Sequence, residues 1–267
     1  MNSYTVLSNA SEVQVSQILG AVEHHGLCIL PEFVAGGTLD KLNEEFEQIL
    51  SPDKKNGVDL IELNAGRGAV AHLYELGEAV PNTQAFFGTE WMQEASDTYW
   101  GAPARLNDNV YVMEEVPGTE HVAQDLHFDV LKTLKFFLYL NDVTAENGAF
   151  SCVPGSHHHT RKLREQLGDD ISYEKRCLTR DHPFGENDVV SIEGKAGTLI
   201  VFTTEVWHRA GKVSRDTRRV MRGHTRRGEA PPGPKTKNAK KQNKAKANTV
   251  SLKSRMKTFC RKISRKS

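Results

Sequence analysis

Apolar residues fall at helical spacing in the first part of this chain and at strand spacing in the second. Val13, Val15, Ile18, Leu19 and Val22 share one face of a 3.6-residue repeat, with Ser11 placed to cap the helix and Gly26 to close it. Leu27-Cys28-Ile29-Leu30 predicts a short buried strand stopped by Pro31. After Gly36-Gly37, the spacing of Leu39, Leu42, Phe46, Ile49 and Leu50 predicts a second helix. Gly57, Gly66, Gly68, Pro81 and Gly88 break every period over 51–88, so a variable loop region with a short helix at 72–76 is expected there. Trp91, Met92, Ala95, Tyr99 and Trp100 restore a helix that Gly101 ends, and 106–116 reads as a strand followed by the turn Pro117-Gly118.

From there the pattern is one of short apolar runs separated by turn residues. Strands are expected over 122–130, 134–143, 149–153, 189–192, 198–203 and 217–224, with a helix at 159–167. This succession predicts an antiparallel sandwich or barrel, mainly β, with the helices beside it.

Composition changes the picture at one place. With 38% hydrophobic and 26% charged residues, the chain has the makings of a folded core rather than of global disorder. Its net charge of +1 hides an asymmetry, however. Thirteen of the 35 Lys and Arg residues lie after Glu229 and none of the 34 Asp and Glu do, which leaves 22 basic against 34 acidic residues in the body. The domain is therefore expected to span 1–229, followed by a basic segment over 230–267.

That segment opens with Pro231-Pro232-Gly233-Pro234 and continues rich in Lys, Asn, Ala and Gln, the composition of a flexible linker. Over 250–267, Leu252, Met256, Phe259, Cys260 and Ile263 share a helical face between basic residues. Such a helix fits an anionic membrane surface or an acidic partner, the acidic body of its own chain included. Nucleic acid fits less well, because a single aromatic residue is present for stacking. The four cysteines lack CxxC spacing and read as reduced thiols. Residues 1–15 hold no basic start followed by an apolar stretch, and no apolar span approaches about 18 residues. The expected location is cytoplasmic, with a peripheral position at a membrane surface open to it.

The chemistry centres on Gln124-Asp125-Leu126-His127-Phe128-Asp129. On a strand, His127 and Asp129 point the same way, and an imidazole and a carboxylate with one further imidazole make the facial triad that suits non-haem Fe(II). His208, which follows the apolar run Leu199-Ile200-Val201-Phe202, is a candidate for the second imidazole, its other reading being a satisfied surface histidine. Asp125 shares the face of His127 and competes with Asp129 for the role. Arg218, Arg219 and Arg222 come next, and a guanidinium inside a barrel needs an anion. Lys135, in an apolar strand, either meets an anionic ligand or carries its ammonium outward. Asn107, Asn109 and Gln124 are lesser candidates for lining the pocket. His157-His158-His159 looks like a metal cluster, but the turn Pro154-Gly155-Ser156 places it on a loop, so metal binding by the trio is not expected.

His127-x-Asp129, Tyr139-Leu140-Asn141-Asp142-Val143, Asn147-Gly148, Val153-Pro154-Gly155-Ser156-His157, Gly197-Thr198, His208 and Arg219, in that order, resemble the phytanoyl-CoA dioxygenase family of Fe(II)/2-oxoglutarate oxygenases. The resemblance implies a double-stranded β-helix, a jelly-roll and cupin-like core, with the N-terminal helices packed outside it. It implies that His127, Asp129 and His208 hold Fe(II), and that Arg219, eleven residues after His208, holds the far carboxylate of 2-oxoglutarate, with Arg218 as runner-up and Lys135 and Thr198 contributing to that co-substrate's site. The implied activity is hydroxylation of a small or lipid-like molecule by O2, with succinate and CO2 released. A carboxylate at Asp129 argues against halogenation, since related halogenases carry a small residue there. His224 departs from the aromatic residue that relatives often place five positions after the arginine. The competing expectation is a catalytically silent cupin-like binding protein, localised by its basic tail.

Overall fold

The structure is a computed structural model that describes residues 3–6, 12–51, 59–62, 68–73, 80–120, 122–167 and 183–228. The chain divides into two units, Met1–Gly228 and Glu229–Ser267, and every described residue belongs to the first. The linker and basic helix expected over 230–267 lie outside the described residues, as do the proposed cap Ser11 and the side chains of Asn107 and Asn109.

Four helices precede or interrupt the first strands: α1 (Val15–His25), α2 (Gly36–Leu50), α3 (Pro81–Phe87) and α4 (Glu90–Trp100). A fifth, α5 (His157–Leu167), lies between strands of the second half. No helix among the described residues is long and apolar enough to cross a membrane. The strands are β1 (Leu27–Leu30), β2 (Asp59–Glu62), β3 (Gly68–Leu73), β4 (Ala104–Glu115), β5 (Leu134–Tyr139), β6 (Phe150–Cys152), β7 (Val190–Ile192), β8 (Leu199–Thr203), β9 (His208–Arg209) and β10 (Arg218–Arg227). They form a seven-stranded sheet in the order β1-β8-β5-β10-β4-β3-β2 and a three-stranded sheet in the order β7-β6-β9. Every pairing within the two sheets is antiparallel.

The period of two along each strand of the large sheet sorts its side chains into two cores. Phe136, Leu138, Val110, Val112 and Met221 face the helices, where they meet Ile18, Leu42, Phe46, Phe87 and Met92. The alternate residues Phe137, Tyr139, Met113 and Val220 face the smaller sheet and pack with Phe150, Cys152 and Ile192. Burial of each such side chain stabilises the fold by about 1.5–3 kcal/mol. Every Lys or Arg carried onto this second, inward face must find an anion.

Two glycines fix the packing at points where the backbone leaves no room for a side chain. Gly26 ends α1 at φ 82°, its N–H closing on the Val22 carbonyl at 2.8 Å; a Cβ there would stand 2.9 Å from Nδ1 of His157. Gly197 (φ 85°) turns the chain into β8, and a Cβ there would lie 1.8 Å from the carbonyl oxygen of Val34. Gly197-Thr198 is thus a structural joint between the sheet and the segment before α2.

Two sequence expectations fail in the fold. The region 51–88 contains β2, β3 and α3, and residues 72 and 73, assigned to a helix, belong to a strand. Antiparallel partners supply hydrogen bonds there that glycine-rich local sequence does not advertise. Residues 122–130 do not form a continuous strand: Val122–Gln124 is a single 3-10 turn, and after it the chain joins the second sheet through one bridge, His127 to His208.

Candidate active site

That bridge positions the site. His127 N–H donates to the His208 carbonyl at 3.0 Å, and His208 N–H returns a bond to the His127 carbonyl at 2.7 Å. Asp129, two residues on, is anchored by its N–H to the Thr204 carbonyl at 2.9 Å. The donor atoms of His127, Asp129 and His208 consequently lie within 4.8 Å of one another. Oδ1 of Asp129 is 3.7 Å from Nε2 of His127 and 3.9 Å from Nε2 of His208.

Whether this trio suits a metal ion turns on its tautomers. Nδ1 of His127 lies 2.6 Å from the Asp125 carbonyl, and Nδ1 of His208 lies 2.8 Å from the Val206 carbonyl. A carbonyl accepts only, so each Nδ1 carries the proton and each Nε2 turns a free lone pair toward the carboxylate. Burial, reinforced by the neighbouring His127, holds the His208 pKa well below that of free imidazole and keeps the ring neutral. Burial also works against the Asp129 carboxylate, but the charge and hydrogen bond of the Lys135 ammonium more than offset it, and its pKa sits far below the usual carboxylate range. Two imidazoles presenting Nε2 and an ionised carboxylate, converging on one point, fit a divalent ion such as Fe(II). Asp125, the rival acid, is exposed and contributes its backbone carbonyl.

Lys135 does not snorkel outward. It is 6% exposed, and its Nζ lies 2.6 Å from Oδ2 of Asp129. The ammonium therefore steadies the oxygen that does not face the imidazoles.

The arginines separate by strand parity. Arg219 is on the helix-facing side of β10, its guanidinium 5.5 Å above the Phe46 ring and paired with Glu114 at 3.0 Å and Glu47 at 2.5 Å. It does not line the cavity that opens at the triad. Arg218 does face inward, but Glu115, itself fully buried, neutralises it with bonds to Nε at 2.7 Å and to Nη2, while Nη1 is taken by the Gly148 carbonyl. Arg222 is the inward arginine left over. Its guanidinium stacks 4.5 Å from the Tyr111 ring, its Nε has no hydrogen-bond partner, and burial lowers its pKa. Among the described residues no carboxylate pairs with it. His224, two residues further along the same face, packs edge-on against Tyr111 at 4.7 Å, with Nε2 unpartnered.

Thr198 is not at the site either. Its carbonyl accepts from Tyr139 N–H at 2.9 Å and its hydroxyl receives the Glu32 N–H at 3.3 Å, outside the cavity. Gln124 bonds the Thr119 carbonyl at 2.8 Å and is likewise not on the cavity wall. In the His157-His158-His159 run, His157 is fully buried and its Nε2 donates to the Glu23 carbonyl at 2.9 Å, tying α5 to α1.

Two residues that the sequence did not single out brace the triad. Arg164 of α5 donates to the carbonyl of Asp129 at 2.8 Å and to that of Val130 at 2.9 Å. Its Nε lies 3.2 Å from the buried Glu205, three residues before His208. One guanidinium thus holds both ligand-bearing segments. No local signal marks this pair, since a charged residue on an amphipathic helix is ordinarily solvated.

The cavity at the triad measures about 730 Å³, within the range of small-molecule sites. Phe137, Phe150, Phe202, Val70 and Met113 form its apolar wall.

The family model for phytanoyl-CoA dioxygenase (PhyH) matches residues 22–220, most of the chain and all three triad residues. The chain belongs to the phytanoyl-CoA dioxygenase family. Among curated PhyH relatives, the phytanoyl-CoA dioxygenase domain-containing protein 1 homolog of Dictyostelium discoideum is 28% identical over 106 residues, a match spanning 37% of each chain. Solved structures share the PhyH fold at lower identity. The carbocyclase SnoK from nogalamycin biosynthesis aligns with TM-score 0.60 and 16% identity over 89% of this chain and 93% of its own. The epimerase SnoN, in complex with Fe3+, alpha ketoglutarate and nogalamycin RO, aligns with TM-score 0.58 and 18% identity over 83% and 91%. HygX from Streptomyces hygroscopicus, with nickel and 2-oxoglutarate bound, aligns with TM-score 0.55 and 16% identity over 80% and 88%. The jelly-roll core with flanking helices is therefore the architecture of this chain.

Proposed function

We propose that this protein is an Fe(II)- and 2-oxoglutarate-dependent oxygenase that hydroxylates an unactivated C–H bond of a small molecule. The observation that carries the reading is the convergence of two Nε2 lone pairs and one carboxylate oxygen within 4.8 Å, with both Nδ1 atoms locked onto backbone carbonyls. Membership of the PhyH family supports it, as do the ligands named for SnoN and HygX. When bound, Fe(II) with 2-oxoglutarate supplies the oxidising power, releasing succinate and CO2 as O2 is consumed.

The chain's own residues hold and orient. His127 and His208 present their Nε2 atoms and Asp129 its Oδ1, while Lys135 keeps Oδ2 occupied so that the carboxylate offers one oxygen. Arg222, rather than Arg219, receives the far carboxylate of the co-substrate: it is an inward guanidinium that no acid among the described residues pairs with, on the cavity wall with the triad and stacked on Tyr111. Phe137, Phe150 and Phe202 wall the site against water.

The test incubates the full chain with Fe(II), 2-oxoglutarate and a small-molecule extract, following succinate and the masses of the extract. Succinate coupled to a product with one added oxygen is expected, and His127→Ala and Asp129→Ala abolish both. A product that loses two hydrogens, or one of unchanged mass, would replace hydroxylation with ring closure or epimerisation. Co-substrate binding without substrate-coupled succinate would replace the enzyme with a binding protein.

A further inference from the structure

The cavity is lined by more cations than its own residues neutralise, and assigning them one by one leaves a remainder at one place. Arg218 is satisfied by Glu115, Lys135 by Asp129, and Arg209 by Glu186 at 3.0 and 2.7 Å. Arg222 is committed to the co-substrate in the reading above. Arg226, also on the wall, is engaged by a contact of its own; Lys132 and Arg227 remain, both on the wall and both without an ion pair among the described residues. Asp129, already shared between Lys135 and the imidazoles, is the one acid among the described residues of that wall.

The surroundings of Lys132 are built, not incidental. Lys132 Nζ stands 4.8 Å from the Tyr99 ring centroid and 5.7 Å from that of Trp100, which holds the ammonium over an aromatic platform at the end of α4. The Trp100 indole is fixed in turn by its Nε1–H bond to Oγ1 of Thr225 at 3.0 Å. Thr133, the residue after Lys132, donates its hydroxyl to the Thr225 carbonyl and receives the Thr225 N–H at 3.2 Å. Lys132 is therefore pinned against the end of β10 that carries Arg227. Beside it, Leu131 is 75% exposed and lines the same cavity. The same wall carries the apolar side chains of Phe137, Phe150, Phe202, Val70 and Met113.

A ligand complementary to this layout is amphiphilic: anionic at one end, apolar along its body. We infer that the substrate of this site carries a phosphate or carboxylate group, received by Lys132 and Arg227 beside the Tyr99–Trp100 platform, with its apolar portion directed along the cavity toward the triad. The inference deepens the oxygenase reading and rests on it for the reaction, but the charge preference it states is separable from turnover.

The experiment is calorimetric titration of the full chain, loaded with nickel and 2-oxoglutarate, with three probes of equal apolar length: octyl phosphate, octanoate and octylammonium. The anionic probes are expected to bind at least about tenfold more tightly than octylammonium, and the tighter of the two names the anionic group. Exchanging both cations (Lys132→Glu with Arg227→Glu, and the milder pair Lys132→Gln with Arg227→Gln) is expected to lower the anion affinity by about tenfold or more while leaving 2-oxoglutarate affinity unchanged. Equal or tighter binding of octylammonium, unchanged octyl phosphate affinity in both double variants, or no binding of any probe overturns the inference. Failure of the wild-type chain to bind nickel or 2-oxoglutarate counts instead against the oxygenase reading.

Discussion

Lys135 Nζ lies 2.6 Å from Oδ2 of Asp129 while Oδ1 of the same carboxylate faces the two imidazoles. A buried acid is expensive without such a partner. Lys135→Met should destabilise the metal-free protein by about 3 kcal/mol, because it strands the carboxylate. The sign with pH follows from the depressed pKa of Asp129: its contribution is present above the unfolded carboxylate pKa and is lost as pH falls through the folded value. Without the ammonium, burial acts unopposed and the acid limb moves to higher pH. Urea melts of both proteins across the acid range, with and without a divalent ion, read this out. A variant equally destabilised with metal bound would show that the lysine acts by packing alone.

The three arginines of β10 should respond in three different ways. Arg219→Ala removes partly exposed pairs and is expected to cost at most about 1 kcal/mol, with the 2-oxoglutarate KM unchanged. Arg218→Ala removes the guanidinium that neutralises the buried Glu115 and should cost about 3–5 kcal/mol. Arg222→Met removes a half-buried cation that has no acid partner among the described residues, so the metal-bound, co-substrate-free protein keeps or gains thermal stability while 2-oxoglutarate affinity falls by about two orders of magnitude. Thermal melts and co-substrate titrations on the three variants decide the assignment. Co-substrate affinity lost in Arg219→Ala and retained in Arg222→Met would reverse it.

The fate of these arginines marks where sequence reading stops. Parity on a strand shows that Arg218 and Arg222 share a face and Arg219 takes the other, but not which face is inside; that is set by helices packing on Met221 and by the second sheet packing on Val220. The triad was legible because His127-x-Asp129, the intervening turn motif and His208 follow one another in the order of the family's motif, which no piece shows alone. Strands β2 and β3 were not, since β3 is held by β4, distant in sequence, and β2 in turn pairs with β3. Asn141 and Asn147, conspicuous in the motif, cap loops: both side chains reach the Thr217 carbonyl.

Arg164→Ala should weaken metal binding by about 10- to 100-fold through the two carbonyls it releases. Arg164→Lys keeps charge near Glu205 but cannot hold both carbonyls, so it should restore stability more fully than affinity. Nickel titration alongside thermal melts separates the two effects. Equal losses in both variants on both measures would reduce Arg164 to general packing.

His157 makes a separate pH prediction. Burial, the largest cause, lowers its pKa from the ordinary 6.5 to about 4. The unfolded chain therefore binds a proton that the folded chain refuses, and stability present above pH 6.5 declines as pH falls toward 4. His157→Gln, which retains a donor for the Glu23 carbonyl, should flatten that decline by on the order of 1–2 kcal/mol. Denaturant midpoints across that window check it, and an unchanged slope would assign the acid sensitivity elsewhere.

The reciprocal backbone bonds between His127 and His208 have a consequence for how this scaffold can diversify. The distance between the two imidazoles is written into a pair of peptide groups, so it is indifferent to how much chain runs between them. Connections inserted or trimmed along that stretch can reshape what enters the cavity while the two rings keep their places, and an arriving ion finds its donors already gathered.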